Sequence, residues 1–325
     1  MTPMDHFTLG ASGVRLSRIV LGGHEYLPDG RSRAFNEDLR LAVTPGHLFP
    51  GFGGPLRRSV LERAYALGID SFDVTMDSEK EALGRNLREL PPPGAAVVQT
   101  RPEGMVYGYD PGNRRMVSPG QLREEVLRIL ALMGRERIDI LNLGILKDAI
   151  EQDRAFPGKL AQAVRALQQE GLIRCAAADS FSGAATYLAL LETGAFASLN
   201  LNFNLADDGA LERLIPAARA MGVRVVVREV FMKGELFRIA AAAGIDDRAA
   251  VARAAIRWTL AQPGVDGLIV GAGTPEQLSA SVEAAARPEL SDADQALLRT
   301  LLAHPQLQQA RERNRLAFAQ PIGAA

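Results

Sequence analysis

The chain has 325 residues, 47% hydrophobic and 23% charged, with a mean hydropathy near zero, a composition that excludes fibres and intrinsic disorder. Lys and Arg number 37 against 38 Asp and Glu, and without a basic block nucleic acid is not an expected partner. The apolar runs, such as Val225-Val226-Val227, are strand-sized and far below the roughly 20 residues of a membrane helix. Cys175 is the single cysteine, which leaves no internal disulfide or cysteine-rich metal site. His6 and His304 have no metal-ligand company, so no metal is expected. The start, MTPMDHFTLG, lacks the basic and apolar regions of a signal peptide, and the cytoplasm is the expected compartment.

In chain order, Phe7 to Val14 reads as a hairpin turned at Ala11-Ser12-Gly13. Eight short apolar or β-branched runs follow: Leu16 to Leu21, Ile69 to Phe72, Ala96 to Thr100, Ile138 to Leu143, Ile173 to Ala177, Ser198 to Phe203, Val223 to Val227 and Leu268 to Val270. Between them lie stretches of helical period, such as Leu122, Val126, Ile129, Leu130, Met133 and Leu160, Val164, Leu167, which predict crossover helices. Ser118-Pro119-Gly120-Gln121 and Thr274-Pro275-Glu276-Gln277 each offer a capping hydroxyl, a first-turn Pro and a reciprocal Gln. Gly134, Gly171, Gly222 and Gly244 punctuate helix ends. The alternation predicts an α/β fold, an eight-stranded (β/α)8 TIM barrel, with the hairpin plugging its bottom. No linker divides the chain, so residues 1–325 read as one domain.

Chemistry in such barrels sits at the C-terminal ends of the strands. The residues there are polar: His24, Glu25 and Tyr26; Asp73, Thr75, Asp77 and Glu79; Arg101 and Glu103; Asn142 and Lys147; Asp179 and Ser180; Asn202 and Asn204; Arg228, Glu229 and Lys233; and Thr274. Asn200, Asn202 and Asn204 alternate with Leu199, Leu201 and Phe203 and so share one face. Asp207-Asp208 beyond them reads as a helix start. Gly23 to Leu56 is a long first connection of the kind that forms lids, and Arg101 to Val117, with Tyr107 and Tyr109, is a second.

Leu9 to Ser17, Ala64 to Asp73 followed by Ser78-Glu79 and Leu83-Gly84, Gly171 to Arg174 before Asp179 to Ser182, Ala255 to Trp258 and Ile269 to Leu278 together resemble the aldo-keto reductase family over nearly the whole chain. The resemblance implies hydride transfer between a nicotinamide and a carbonyl carbon. In the family a Tyr, acidified by a Lys that pairs with an Asp, protonates the oxygen, and a His orients the substrate. The matching Asp is Asp73, but the Tyr is missing from Asp73-Val74-Thr75-Met76-Asp77. The Lys position is Arg101, and the His position is Gly144.

Arg101 cannot act as a pKa-tuned lysine, though it can pair with Asp73 or grip an anionic substrate. His24 and Tyr26 are the replacement acid candidates. The resemblance places the cofactor against Asp179, Ser180, Asn200, Arg228, Glu229 and the turn Gly271 to Thr274, which opens a helix suited to an anion. Arg228 stands where an aromatic would stack on nicotinamide, and Ala280-Ser281 stands where an acidic-Asn pair would contact adenine. Each position also has a plainer reading: Asp73 and Arg101 as a rim ion pair, Arg228 and Glu229 as mutual neutralisers, and His24 and Tyr26 as lid packing. Three functions remain open. The favoured one is an NADP(H)-dependent oxidoreductase, with NAD(H) as the other cofactor choice, on a small carbonyl or sugar-like substrate. The others are a non-redox lyase or isomerase and a catalytically silent cofactor sensor.

Overall fold

The computed structural model describes residues 4–105 and 109–323; Tyr107 lies outside them. His6–Leu9 (β1) and Val14–Ser17 (β2) pair antiparallel across the turn Gly10–Ser12. Eight parallel strands then close a barrel: Ile19–Gly22 (β3), Ser71–Val74 (β4), Val97–Thr100 (β5), Ile138–Ile145 (β6), Ile173–Ser180 (β7), Ser198–Asn202 (β8), Arg224–Arg228 (β9) and Gly267–Val270 (β10). Neighbours in sequence are neighbours in the sheet, and β10 closes on β3, so the barrel and its hairpin are as expected. No helix among the described residues is long and apolar enough to cross a membrane.

The apolar run Leu16 to Leu21 is two strands rather than one. Leu16 and Ser17 belong to the hairpin, and the chain breaks at Arg18 before β3. Strands β6 and β7 also run further than expected, so Asp179 and Ser180 lie inside β7. Asp73 lies inside β4. The two predicted amphipathic stripes fall in helices Pro119–Met133 and Phe156–Gln169 and are buried. Thr274 caps its helix by accepting from Gln277 N, whereas the Ser118 hydroxyl makes no capping bond, and the Pro119 start needs one donor fewer. Gly134, Gly171, Gly222 and Gly244 all take positive φ.

Strand alternation divides the core in two. Outward residues such as Leu21, Phe72, Val98, Leu141, Leu199 and Val227 pack under the helices. Inward Val20, Val97, Ile140, Cys175, Ala177, Val226 and Ile269 pack with Leu9, Val14 and Leu16 of the hairpin and with Phe7. The hairpin thus seals the bottom with apolar side chains. Gly267 makes this possible, because a Cβ there would come 2.7 Å from the Phe7 ring.

Leu9 is fully buried in this seal. Leu9→Ala is expected to cost about 2–5 kcal/mol, read from chemical denaturation, while Leu39→Ala at an exposed site should stay within about 0.5 kcal/mol of wild type.

Candidate active site

Four inward apolar residues of the lower layer are followed two positions later by a polar one facing the same way: Val97 by Gln99, Ile140 by Asn142, Ala177 by Asp179 and Val226 by Arg228. The barrel therefore carries a polar layer at its C-terminal mouth. Gln99 Nε2 donates to Asp73 Oδ1 at 2.7 Å. Burial pushes the Asp73 carboxyl up, the Gln99 bond and the cations Arg228 and Arg101 oppose this, and Glu79 adds to it.

Across the chamber Arg228 grips the buried Asp179 with both terminal nitrogens, at 2.6 and 2.7 Å. Its Nε donates to Asn202 Oδ1 at 2.8 Å, and its plane lies over the Phe181 ring, 5.2 Å from the centroid. Asn142 Nδ2 donates to Asp179 at 3.3 Å. The buried Tyr187 hydroxyl donates to the Asn200 carbonyl at 2.8 Å, close beside Asp179. Arg228 is thus neutralised by Asp179, while Glu229 reaches Lys233 at 3.3 Å. Asn200 is fully buried, and neither of its amide atoms has a partner among the described residues; Asn142 Oδ1 is likewise unpartnered.

Arg101 is buried and pairs through Nε with Glu103 at 3.5 Å; it acts on Asp73 through space. Burial raises the Glu103 carboxyl, against the pull of Arg101. His24 Nδ1 donates to Glu79 Oε1 at 2.5 Å. Burial works against the charge on His24, but the attraction and hydrogen bond of Glu79 outweigh it and hold the imidazole above its usual value; Asp73 adds to this and Arg101 opposes it. Burial disfavours charge on Glu79 too, yet His24 and the Thr75 and Met76 amides bring it down to about 2. This pairing, between residues 55 apart, has no local sequence pattern that reveals it.

The Tyr26 ring rests on Gly273, and its hydroxyl abuts Gly271, where a Cβ would collide with it. Burial pushes this phenol up to about 12. Thr274 caps its helix, and Gln277 turns back to accept from Gly273 N at 2.9 Å, so part of the donor capacity of this turn is already used. Ser180 Oγ accepts from Ser182 N at 3.0 Å. Asn204, through Nδ2, holds the Glu229 carbonyl at 3.1 Å. Asp208 anchors the C-terminal helix Pro305–Phe318 through Arg311 and Arg315 rather than capping a helix with its side chain. Burial, Glu229 and Asp208 push Asp207 up to about 7.

The first connection folds over this end with its own small core of Ala34, Ala42 and Phe52 on Met76 and Ala82. Gly46 N donates to Asp77 at 2.7 Å and Gly53 N to Glu25 at 2.5 Å. The Tyr109 hydroxyl donates to the Arg40 carbonyl at 2.8 Å, which ties the second connection to the first. Glu229, Met232 and Lys233 take positive φ of 62°, 53° and 54°, so backbone strain of order 1 kcal/mol each is stored directly after β9.

Removing one partner of a buried pair strands the other charge. Arg228→Met and Asp179→Leu are each expected to cost about 3–5 kcal/mol and the double variant much less than their sum, measured by a denaturation cycle. Burial opposes charge on Asp77, but Lys80, Arg128 and the Gly46 amide take it down to about 2. Because its folded value lies below the unfolded one, its contribution is full above about pH 4 and is lost as pH falls toward 2. The stability gap between wild type and Asp77→Asn should close over that range.

The sequence profile of the Aldo/keto reductase family matches residues 57–248 and 235–303. Comparison with curated protein sequences gives no match. Among solved structures, an aldo-keto reductase from Bacillus halodurans in holo form superposes with a TM-score of 0.67 at 18% identity, covering 95% of this chain and 99% of that one. A glycerol dehydrogenase from Gluconobacter oxydans gives 0.66 at 21% identity, covering 94% and 97%. At such identities the superpositions speak for the fold; with the profile matching most of the barrel, the chain belongs to the aldo/keto reductase family.

Proposed function

We propose that the protein is a nicotinamide-dependent oxidoreductase, using NADP(H) on a small carbonyl or sugar-like substrate at the barrel mouth, with the cytoplasm as its compartment. The observation that carries this reading is Asn200. A buried amide without partners costs about 1–3 kcal/mol, and a ligand with a donor and an acceptor of its own, as a carboxamide has, would satisfy both its atoms beside Asn142. Family membership supports the same reading. When bound, the cofactor would supply or accept the hydride.

In this reading Asn200, Asp179, Ser180, Arg228 and Glu229 form the cofactor side, with Gly271 and Thr274 at the phosphate end. Asp73 and Arg101 organise the reacting end, and His24 or Tyr26 supplies the proton.

Titration with NADPH and with NADH, followed by protein fluorescence and thermal melting, tests this. Ligand at 100 times Kd should stabilise the fold by about 2.7 kcal/mol, with Asn200→Ala weakening the effect. Asp73→Ala should abolish cofactor oxidation in the presence of carbonyls. A protein that neither changes fluorescence nor melts later with either nucleotide is no oxidoreductase of this kind.

A further inference from the structure

The two proton-donor candidates are separated by geometry. The phenol of Tyr26 is committed to the turn at Gly271. The imidazole of His24 retains 38% of its side-chain exposure, against 1% for its partner Glu79, and Nε2 has no hydrogen-bond partner among the described residues. We propose that His24, oriented through Nδ1 by the buried carboxylate of Glu79, is the acid–base residue of this site and that Glu79 is its positioning residue. The carbonyl substrate in this proposal rests on the oxidoreductase reading; the dyad does not.

The carboxylate is fixed from both sides. Glu79 Oε1 takes His24, and Oε2 accepts from Thr75 N, Thr75 Oγ1 and Met76 N at 2.9, 3.1 and 3.3 Å. Glu79 lies in the first turn of helix Asp77–Glu89, where the helix dipole favours an anion. Gly23 leaves the room, since a Cβ there would come 2.9 Å from Oε2. The Phe35 ring packs on the imidazole in an edge-to-face arrangement, centroids 5.1 Å apart and planes at 66°, and so restricts the ring plane. The charges facing this dyad are Asp73 from β4 and Arg101 beyond β5, with Glu25 and Arg57 on the side of Glu79.

In the reductive direction the hydride brings two electrons to the carbonyl carbon, and the C=O π pair moves onto oxygen. The Nε2–H bond breaks as the O–H bond forms, leaving an alcohol and neutral imidazole. Solvent then returns the proton. Oxidation runs the same transfers backwards, with neutral His24 as base.

The test has two readouts. The first is NMR titration of the imidazole in wild type and in Glu79→Gln, which keeps an acceptor for the Thr75 and Met76 amides but loses the charge. His24 should titrate above about 6.5 in wild type and fall by about one unit or more in the variant. The second is the pH dependence of reduction. Activity should fall as pH rises through the His24 value. His24→Gln should lower kcat about 10²–10⁴-fold with cofactor Kd unchanged and erase that limb, and Glu79→Gln should move the limb to lower pH. An ordinary His24 titration, or an unaltered limb in His24→Gln, overturns the proposal while leaving a nicotinamide-binding wild type intact. A wild type that binds no nicotinamide, but whose His24 titrates high and depends on Glu79, overturns the oxidoreductase reading and supports the dyad.

Discussion

Closure of eight parallel strands turns every second side chain into one narrow interior, and every feature of the site depends on what fills it. Below, the hairpin supplies Leu9, Val14 and Leu16 to an apolar layer; above, Asp73, Gln99, Asn142, Asp179, Asn200 and Arg228 stand one side-chain step higher. The lower layer denies water access from beneath, so the groups above sit in a low dielectric where each charge needs an explicit partner. The hairpin therefore conditions the electrostatics of the mouth as well as the stability of the barrel.

Those partners are distributed with little overlap. Asp179 takes Arg228 bidentately, Asp73 takes the neutral Gln99, Glu79 takes His24 and Glu103 takes Arg101. In this set Asp73 has no direct cationic bond among the described residues, and burial raises it, as it also raises Glu103. The mouth of the barrel holds Asp73, whose charge burial disfavours, together with two ion pairs, Asp179–Arg228 and Glu79–His24.

The barrel was legible because periodicity is local. Runs of period two and stripes of period 3.6 mark strands and helices whatever their partners. Boundaries were less legible where an apolar run crosses a break, as at Arg18, or where a strand continues through polar residues, as Asp179 and Ser180 do in β7. The positions of the candidate residues were legible, since Asp73, Arg101, His24, Asp179 and Arg228 stand at or just beyond the strand ends, but their pairings were not. Arg228 and Glu229 are adjacent in sequence and look like partners. Glu229 lies past the end of β9 with a positive φ and reaches Lys233, however, while Arg228 meets Asp179 from β7. Glu79 accepts from Met76 N at the start of its helix; its second task, holding His24, depends on how a long loop returns to the barrel.

Replacing a phenol by an imidazolium changes the electrostatic problem in a definite way. A phenol is neutral before it gives up its proton and anionic after, so in the family pattern a neighbouring cation favours the transfer by stabilising the product. An imidazolium is cationic before and neutral after, and a neighbouring cation favours the transfer by destabilising the reactant. Arg101, at the position the sequence resemblance assigns to the family's lysine, therefore pushes in the same direction on His24 as a lysine would on a tyrosine. The new element is Glu79, which opposes it and favours the protonated ring. In the proposed mechanism, a donor set by two opposed fields, one from beyond β5 and one from the helix after β4, would hold its proton until the substrate oxygen becomes basic. That is the property a proton donor needs where the family's Tyr and Lys are missing.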